Sequence, residues 1–408
     1  MGRWLRGFAL ATAAALCGGC GQSDGRPVVR FIVQPDAGGG YRAVVEKFAL
    51  ARPDILVEMV EGPASTDSRE EMYIGAFMAG DSPYDVVLMD VIWVPKFAAQ
   101  GWLLPLDDRF PSQARDAFLP GDVRAGIWDG RCYRVPLRSD AGMLYYRSDL
   151  VPDPPATFEA LAARARGLKT ADRGGFVFQG RQYEGLVCAF LEVLWGHGGD
   201  VLDDSGAVVL DSPEGIRALT WLAGLVGDGA PEGVTTYQEE EARAAFQEGR
   251  AVFMRNWPYA WAKLQEDGSP VKGKVGIVPM VHAEGRESAA TLGGWGFGIS
   301  RTAKFPDAAW AFIEFATAPE QQKLLNARNG AIPTRRALFE DPEILARHPH
   351  YPELFRVLLA ARPRPVHPQY SRISQSLQRH LSAALVKSET PEEAIRKAAG
   401  EIRGIVGK

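Results

Sequence analysis

Five separated stretches hold side chains suited to one kind of chemistry, the capture of a small polyhydroxyl molecule. Asp90 closes the apolar run Asp85–Met89, and Asp140 sits in Arg138–Gly142 just before Tyr145 and Tyr146. The stretch Gln179–Gly185 places a tyrosine (Tyr183), a carboxylate (Glu184), amides and an arginine between glycines. Asn256–Trp261 contains Trp257 and Tyr259 around Pro258, and Gly293–Gly296 sets Trp295 among glycines, with Gly294 before it. A sugar hydroxyl both donates and accepts, so carboxylates and guanidinium groups pair with it, at about 1.5–3 kcal/mol per bond to a charged partner. An indole or phenol ring covers the flat C–H face of a pyranose.

Each stretch also has a plainer role. Asp90 suits the N-cap of a helix over Val91–Ala99, and Asp140 suits an exposed turn. Gln179–Gly185 reads equally as a solvated hairpin, and both aromatic sets as core. Pro258 and the glycines around Trp295 favour irregular chain at a surface. Asp90, Asp140 and Glu184 also offer the acid and nucleophile of a secreted glycoside hydrolase, provided two of them stand at glycosidase spacing.

Other chemistries find less support. Gly38–Gly40 lies between a strand and a helix but lacks both G-x-G-x-x-G spacing and a Walker lysine, so a permissive turn is expected rather than a nucleotide cradle. The six histidines are dispersed and neither Cys132 nor Cys188 has a Cys-x-x-Cys neighbour, so no metal and no cofactor is expected. The two cysteines are expected as buried free thiols. Net charge is −4 with lysine and arginine scattered, which gives no basic face for nucleic acid.

The elements that must position these groups follow from hydrophobic pattern. At 408 residues the chain has length for two domains. Val28–Val33, Ile55–Val60 and Asp85–Met89 read as strands, alternating with helices over Tyr41–Leu50 and Ser68–Ala79. Such alternation predicts a parallel α/β sheet. Cys132–Leu150 is rich in strand formers with no helix between and reads as a crossing from one lobe to another. A second series follows: helices over Thr157–Leu168 and Pro213–Leu225, strands at Phe176–Phe178, Ala251–Met254 and Val275–Val278. Thr291–Ser300 reads as a return to the first lobe, and the tail from Asp341 as mostly helical. Asp90 then falls at the carboxyl end of a strand, where open α/β sheets collect ligands.

The N-terminus reads as an export signal. Arg3 and Arg6 precede the apolar stretch Phe8–Leu16, far short of the roughly 20 residues a spanning helix needs. Gly18-Gly19-Cys20 resembles a lipobox, with Cys20 as the lipidated residue, although Cys17 replaces the usual branched aliphatic. Residues 1–19 would be removed and 20–27 would form a lipidated tether. Loss of Arg3 and Arg6, with no acid lost, takes the net charge from −4 to −6.

Taken together, Val87–Val91, Asp140–Gly142, Tyr145–Arg147, Tyr183–Cys188, Arg255–Trp261, Ser269–Gly276 and Ala289–Trp295 resemble, in order along nearly the whole mature chain, the trehalose/maltose-binding proteins of bacterial ABC importers. The resemblance implies an α/β, two-lobed, hinged periplasmic-binding-protein fold of type II with several crossings. Residues 28–138 and 287–337 would form lobe I, and 139–286 and 338–408 lobe II. It implies a monomeric, non-enzymatic carrier of a disaccharide such as trehalose or maltose. The partners would be permease subunits and, through Cys20, the membrane. Carried over by position, Asp90, Asp140, Tyr183 or Glu184, Trp257, Tyr259, Gly294, Trp295 and Arg364 would line the cleft, with Arg69 on an early helix facing it. Arg138 is counted with these contact residues although it stands where an aromatic residue is expected, and Pro35–Gly40 lacks an alignable glutamate.

Overall fold

The computed structural model describes residues 25–63 and 66–407. The export signal, Cys20 and the start of the tether lie outside the described residues.

Val28–Val33 pairs in parallel with Leu56–Glu61, from Val28 opposite Leu56 to Val33 opposite Glu61. The helix Gly40–Ala51 joins them and turns Tyr41, Val44 and Phe48 inward, the 3.6-residue spacing its sequence shows. Val86–Asp90 is buried up to Met89 and emerges at Asp90. Tyr73, from the Thr66–Met78 helix, inserts its hydroxyl beside the first strand, donating to the Ile32 carbonyl at 3.3 Å and accepting from Leu88 N–H at 3.2 Å. One hydroxyl thereby serves a backbone carbonyl and a backbone N–H of two buried strands.

The sheet that carries most of the site is mixed rather than parallel. Ala290–Ile299 is buried along its whole length and runs antiparallel to Val86–Asp90 on one side and to Val135–Ala141 on the other. The expectation of a parallel sheet came from the local strand–helix alternation. A strand returning from the other half enters from the opposite end, and local pattern does not register that. The second half is built on four strands ordered Val275–Val278, Met143–Arg147, Ala251–Asn256 and Gly174–Val177. Helices Glu184–Gly196, Pro213–Leu225, Tyr370–Leu385 and Pro391–Val406 share its apolar core.

Passages between the halves lie side by side. Val135–Ala141 belongs to the mixed sheet and Met143–Arg147 to the other, with Gly142 alone between them. The mixed sheet thus continues three residues past Arg138, where the lobe boundary was expected. Gly142 N–H donates to the Thr291 carbonyl at 3.3 Å, and Ala290 and Thr291 pair in parallel with Ala361 and Arg362. An apolar cluster including Ala141, Met143, Leu292, Ala361 and Leu354 surrounds these passages. Among the described residues no helix is long and apolar enough to cross a membrane.

Strand alternation decides which way Arg138, Ser139 and Asp140 point. Ser139 turns into the core, where its hydroxyl donates to Asp122 at 2.6 Å beside Arg134; Arg138 and Asp140 turn to the other face. Burial pushes the Asp122 carboxyl up to about 7, against the pull of Arg134 and Ser139. Because that value exceeds the ordinary 3.8 of the unfolded chain, the folded state holds its proton more tightly. The corresponding stability is fully present below pH 4 and is lost as pH rises towards 7, by up to about 1.4 kcal/mol per unit. Urea unfolding at pH 5 and pH 8 should therefore show a drop in wild type that Asp122→Asn largely removes. An equal drop in both proteins would contradict the assignment.

Candidate ligand-binding cleft

A cleft of about 540 Å³ opens between the mixed sheet and the second half. Ten of the eleven expected contact residues line it: Asp90, Arg138, Asp140, Tyr183, Glu184, Trp257, Tyr259, Gly294, Trp295 and Arg364. Residues that are far apart in the chain thus converge on one opening. The eleventh, Arg69, is buried just behind the wall, its guanidinium carbon 4.6 Å from the centre of the Trp295 ring.

Asp90 caps the next turn and lines the cleft. Its Oδ1 accepts from Ile92 N–H at 3.1 Å, capping the short turn Val91–Trp93, and from Arg364 Nη2 at 3.2 Å. Asp140 is no turn residue: it lies within Val135–Ala141 and accepts from Arg138 Nη1 at 3.2 Å. Burial raises the Asp140 carboxyl, with Asp90 adding to the rise and Arg138 opposing it. Gly294 holds φ at +118°, and a Cβ there would lie 2.5 Å from the Arg138 carbonyl. A larger residue would push apart the two strands that present Arg138, Asp140 and Trp295.

Gln179–Gly185 is not a solvated hairpin. Gln179 is fully buried, and Glu184 opens the helix Glu184–Gly196, favourably placed at its positive end. Glu184 Oε1 accepts from Arg364 at 2.9 Å and from Tyr370 at 2.5 Å, and Oε2 accepts from Ser374. Arg364 therefore bridges carboxylates from both halves. Burial and then the Glu239 carboxylate raise the Tyr183 phenol, keeping its proton in place as a donor.

The two tryptophans differ. Trp257 is half-buried at the end of Ala251–Asn256, its N–H bound to Asn256 Oδ1 at 2.8 Å and its carbonyl accepting from Tyr145 at 2.8 Å. Its indole Nε1 points to Glu239 at 3.4 Å. Beside it, Tyr259 donates to Glu240 at 2.7 Å. Trp295 is 5 % exposed, packed edge-on against Trp93 and approached by the guanidinium groups of both Arg69 and Arg138. The expectation of an irregular, surface-exposed Trp295 is corrected: it sits mid-strand, and the cations around its ring leave it little open face.

Glu239, Thr66, Ile92 and Cys188 also line the cleft without having been singled out. Glu239 begins the run Glu239-Glu240-Glu241, which reads as a solvated first helical turn. The two aromatic residues that follow Asn256 were the only local hint that this turn has partners. Cys132 and Cys188 are both buried, free thiols.

Residues 33–323 match the family described as bacterial extracellular solute-binding protein. The chain belongs to that family. A probable ABC transporter-binding protein of Deinococcus radiodurans is 34 % identical to this solute-binding protein over 367 residues, covering 86 % of this chain and 87 % of the relative. The maltose-bound MalE3 structure of T. maritima superposes with a TM-score of 0.83 at 41 % identity, covering 93 % of this chain and 99 % of that one. A maltotriose-binding protein of Pyrococcus abyssi is 26 % identical over 340 residues, with 82 % and 70 % of the two chains covered. The solute-binding protein thus has the two-lobed α/β architecture of the MalE-like structures.

Proposed function

We propose that this protein binds a disaccharide of the trehalose or maltose type between its lobes and delivers it, unaltered, to the permease of an ABC importer. The observation that carries this reading is the meeting, in one cleft, of the half-buried Trp257 ring with Asp90, Asp140, Arg138 and Arg364. A flat apolar surface beside fixed acceptors and donors matches the two faces of a pyranose. The lobes proposed are 28–138 with 287–337 and 139–286 with 338–408, the first extended to Ala141 where the mixed sheet ends. Ligand touching both would favour the shut arrangement. Export and anchoring through Cys20 belong to the same proposal, supported by the charged start, apolar core and small residues before that cysteine.

A hydrolase needs a carboxyl group holding a proton for the leaving oxygen. Glu184 instead accepts bonds from a guanidinium and two hydroxyls, so the protein's own donors already occupy it. Calorimetric titration with trehalose, maltose, sucrose and glucose tests the reading. Saturable binding of one disaccharide, recovered intact, is expected, with much weaker binding of glucose. Release of glucose on incubation would replace the proposal with a hydrolase, and no binding to any of the four sugars would end it.

A further inference from the structure

Glu184, Cys188 and Glu192 recur every fourth residue along the Glu184–Gly196 helix, so they share one face. That face lies along the passages between the halves. Glu184 meets Arg364, and the Cys188 carbonyl accepts from Thr291 Oγ1 at 2.9 Å. Glu192 Oε1 accepts from Thr291 N–H at 3.1 Å. The same oxygen lies so close to Gly142 that a Cβ there would stand 1.8 Å from it. Two of the three passages therefore press on one buried carboxylate.

Glu192 is fully buried, and its partner is Arg255, also fully buried, which donates through Nε at 2.9 Å and through Nη2. Arg255 Nη1 donates to Gln179 at 3.0 Å, and the Gln179 amide donates back to the Arg255 carbonyl at 3.2 Å. Burial alone would lower the Arg255 guanidinium, but Glu192, with smaller help from Cys188 and Glu239, leaves it raised on balance, so the cation stays charged. The Arg255 guanidinium carbon sits 4.2 Å from the centre of the Trp257 ring. A buried ion pair is a weak source of stability, and an apolar pair would fill this space as well. What an apolar pair cannot do is hold an indole by its π face while binding a backbone N–H of a crossing strand.

We propose that Glu192 and Arg255 are positioning residues that fix the Trp257 ring for ligand and tie its orientation to the passages between the lobes. Neither touches ligand. Arg255 sets the ring, and Glu192 sets Arg255 against Thr291 and Gly142. Ring placement and lobe closure thereby become parts of one buried unit. This rests on the carbohydrate reading of the cleft.

The test uses protein labelled with 5-fluorotryptophan, the Trp257 resonance being assigned with Trp257→Phe. Glu192→Gln combined with Arg255→Met leaves no unpaired charge and is expected to fold, judged by circular dichroism and thermal unfolding. Its Trp257 resonance should shift and broaden without ligand, other tryptophan resonances should hold still, and disaccharide affinity should fall about tenfold. Arg255→Lys, which keeps the cation, should retain part of both properties, and decides on the same resonance if the double variant does not fold. An unmoved Trp257 resonance, or wild-type affinity in the folded double variant, overturns the proposal. The resonance is read without sugar. A wild-type protein that binds no sugar would therefore defeat the carbohydrate reading while this test still returned its own answer.

Discussion

Trp257→Ala should weaken disaccharide binding by about a hundredfold while moving thermal stability only slightly. An indole presents about 150–250 Å² of surface, and Trp257 is half-buried, with Arg255 against its ring and the rest facing the cleft. If a pyranose face covers roughly 100 Å² of it, about 25 cal/mol per Å² gives about 2.5 kcal/mol, and the ring geometry adds a little more. That sum corresponds to roughly two orders of magnitude in dissociation constant. The fold should tolerate the loss because Trp257 is held through its own backbone, by Asn256 and Tyr145, rather than through ring packing in a core. Calorimetry and thermal unfolding on the same preparation provide the check. Unchanged affinity would take the ring out of the site; a collapse in stability would make it a core residue.

Arg364→Met should lower both stability and affinity, and by more than any rim substitution. Arg364 is 7 % exposed, and its guanidinium bonds Asp90 on one side and Glu184 on the other. Methionine keeps the length of the stem but leaves two carboxylates facing each other without a cation. Removing one partner of a buried pair typically costs about 3–5 kcal/mol, with some relief here because both carboxylates reach solvent in the cleft. A fall of several degrees in Tm is expected, with at least a tenfold loss of affinity as the carboxylates repel across the opening. Adding Glu184→Gln to Arg364→Met should recover part of the stability. If the double variant is no more stable than the single, repulsion between the carboxylates is not the cause.

How far the cleft could be read from sequence depended on whether its residues act alone or in pairs. Asp90 was legible because an acid at the carboxyl end of an apolar strand has few places to go, and capping and cleft roles coincide there. Trp257 was legible because Pro258 interrupts the chain beside it. Arg364 entered only through family resemblance, since its partners Glu184 and Asp90 are 180 and 274 residues away. Glu239 escaped notice because three successive glutamates at a helix start satisfy the helix dipole and need no other explanation. Trp295 was read as exposed because its glycine neighbours suggested a loop. Those glycines instead let neighbouring strands and the Arg134 side chain press close. The mixed direction of the sheet was hidden for a related reason, since strand orientation is set by where the chain returns.

With Gly142 as the sole residue between two sheets, the halves are joined almost without slack. A joint so short permits a swivel and forbids a slide, so whatever motion brings the cleft walls together must follow a narrow track. The walls arrive already in register, and little configurational freedom remains to be surrendered when a guest is enclosed. Lengthening that joint by a few flexible residues would leave every contact group in place and still make the trap slower and weaker.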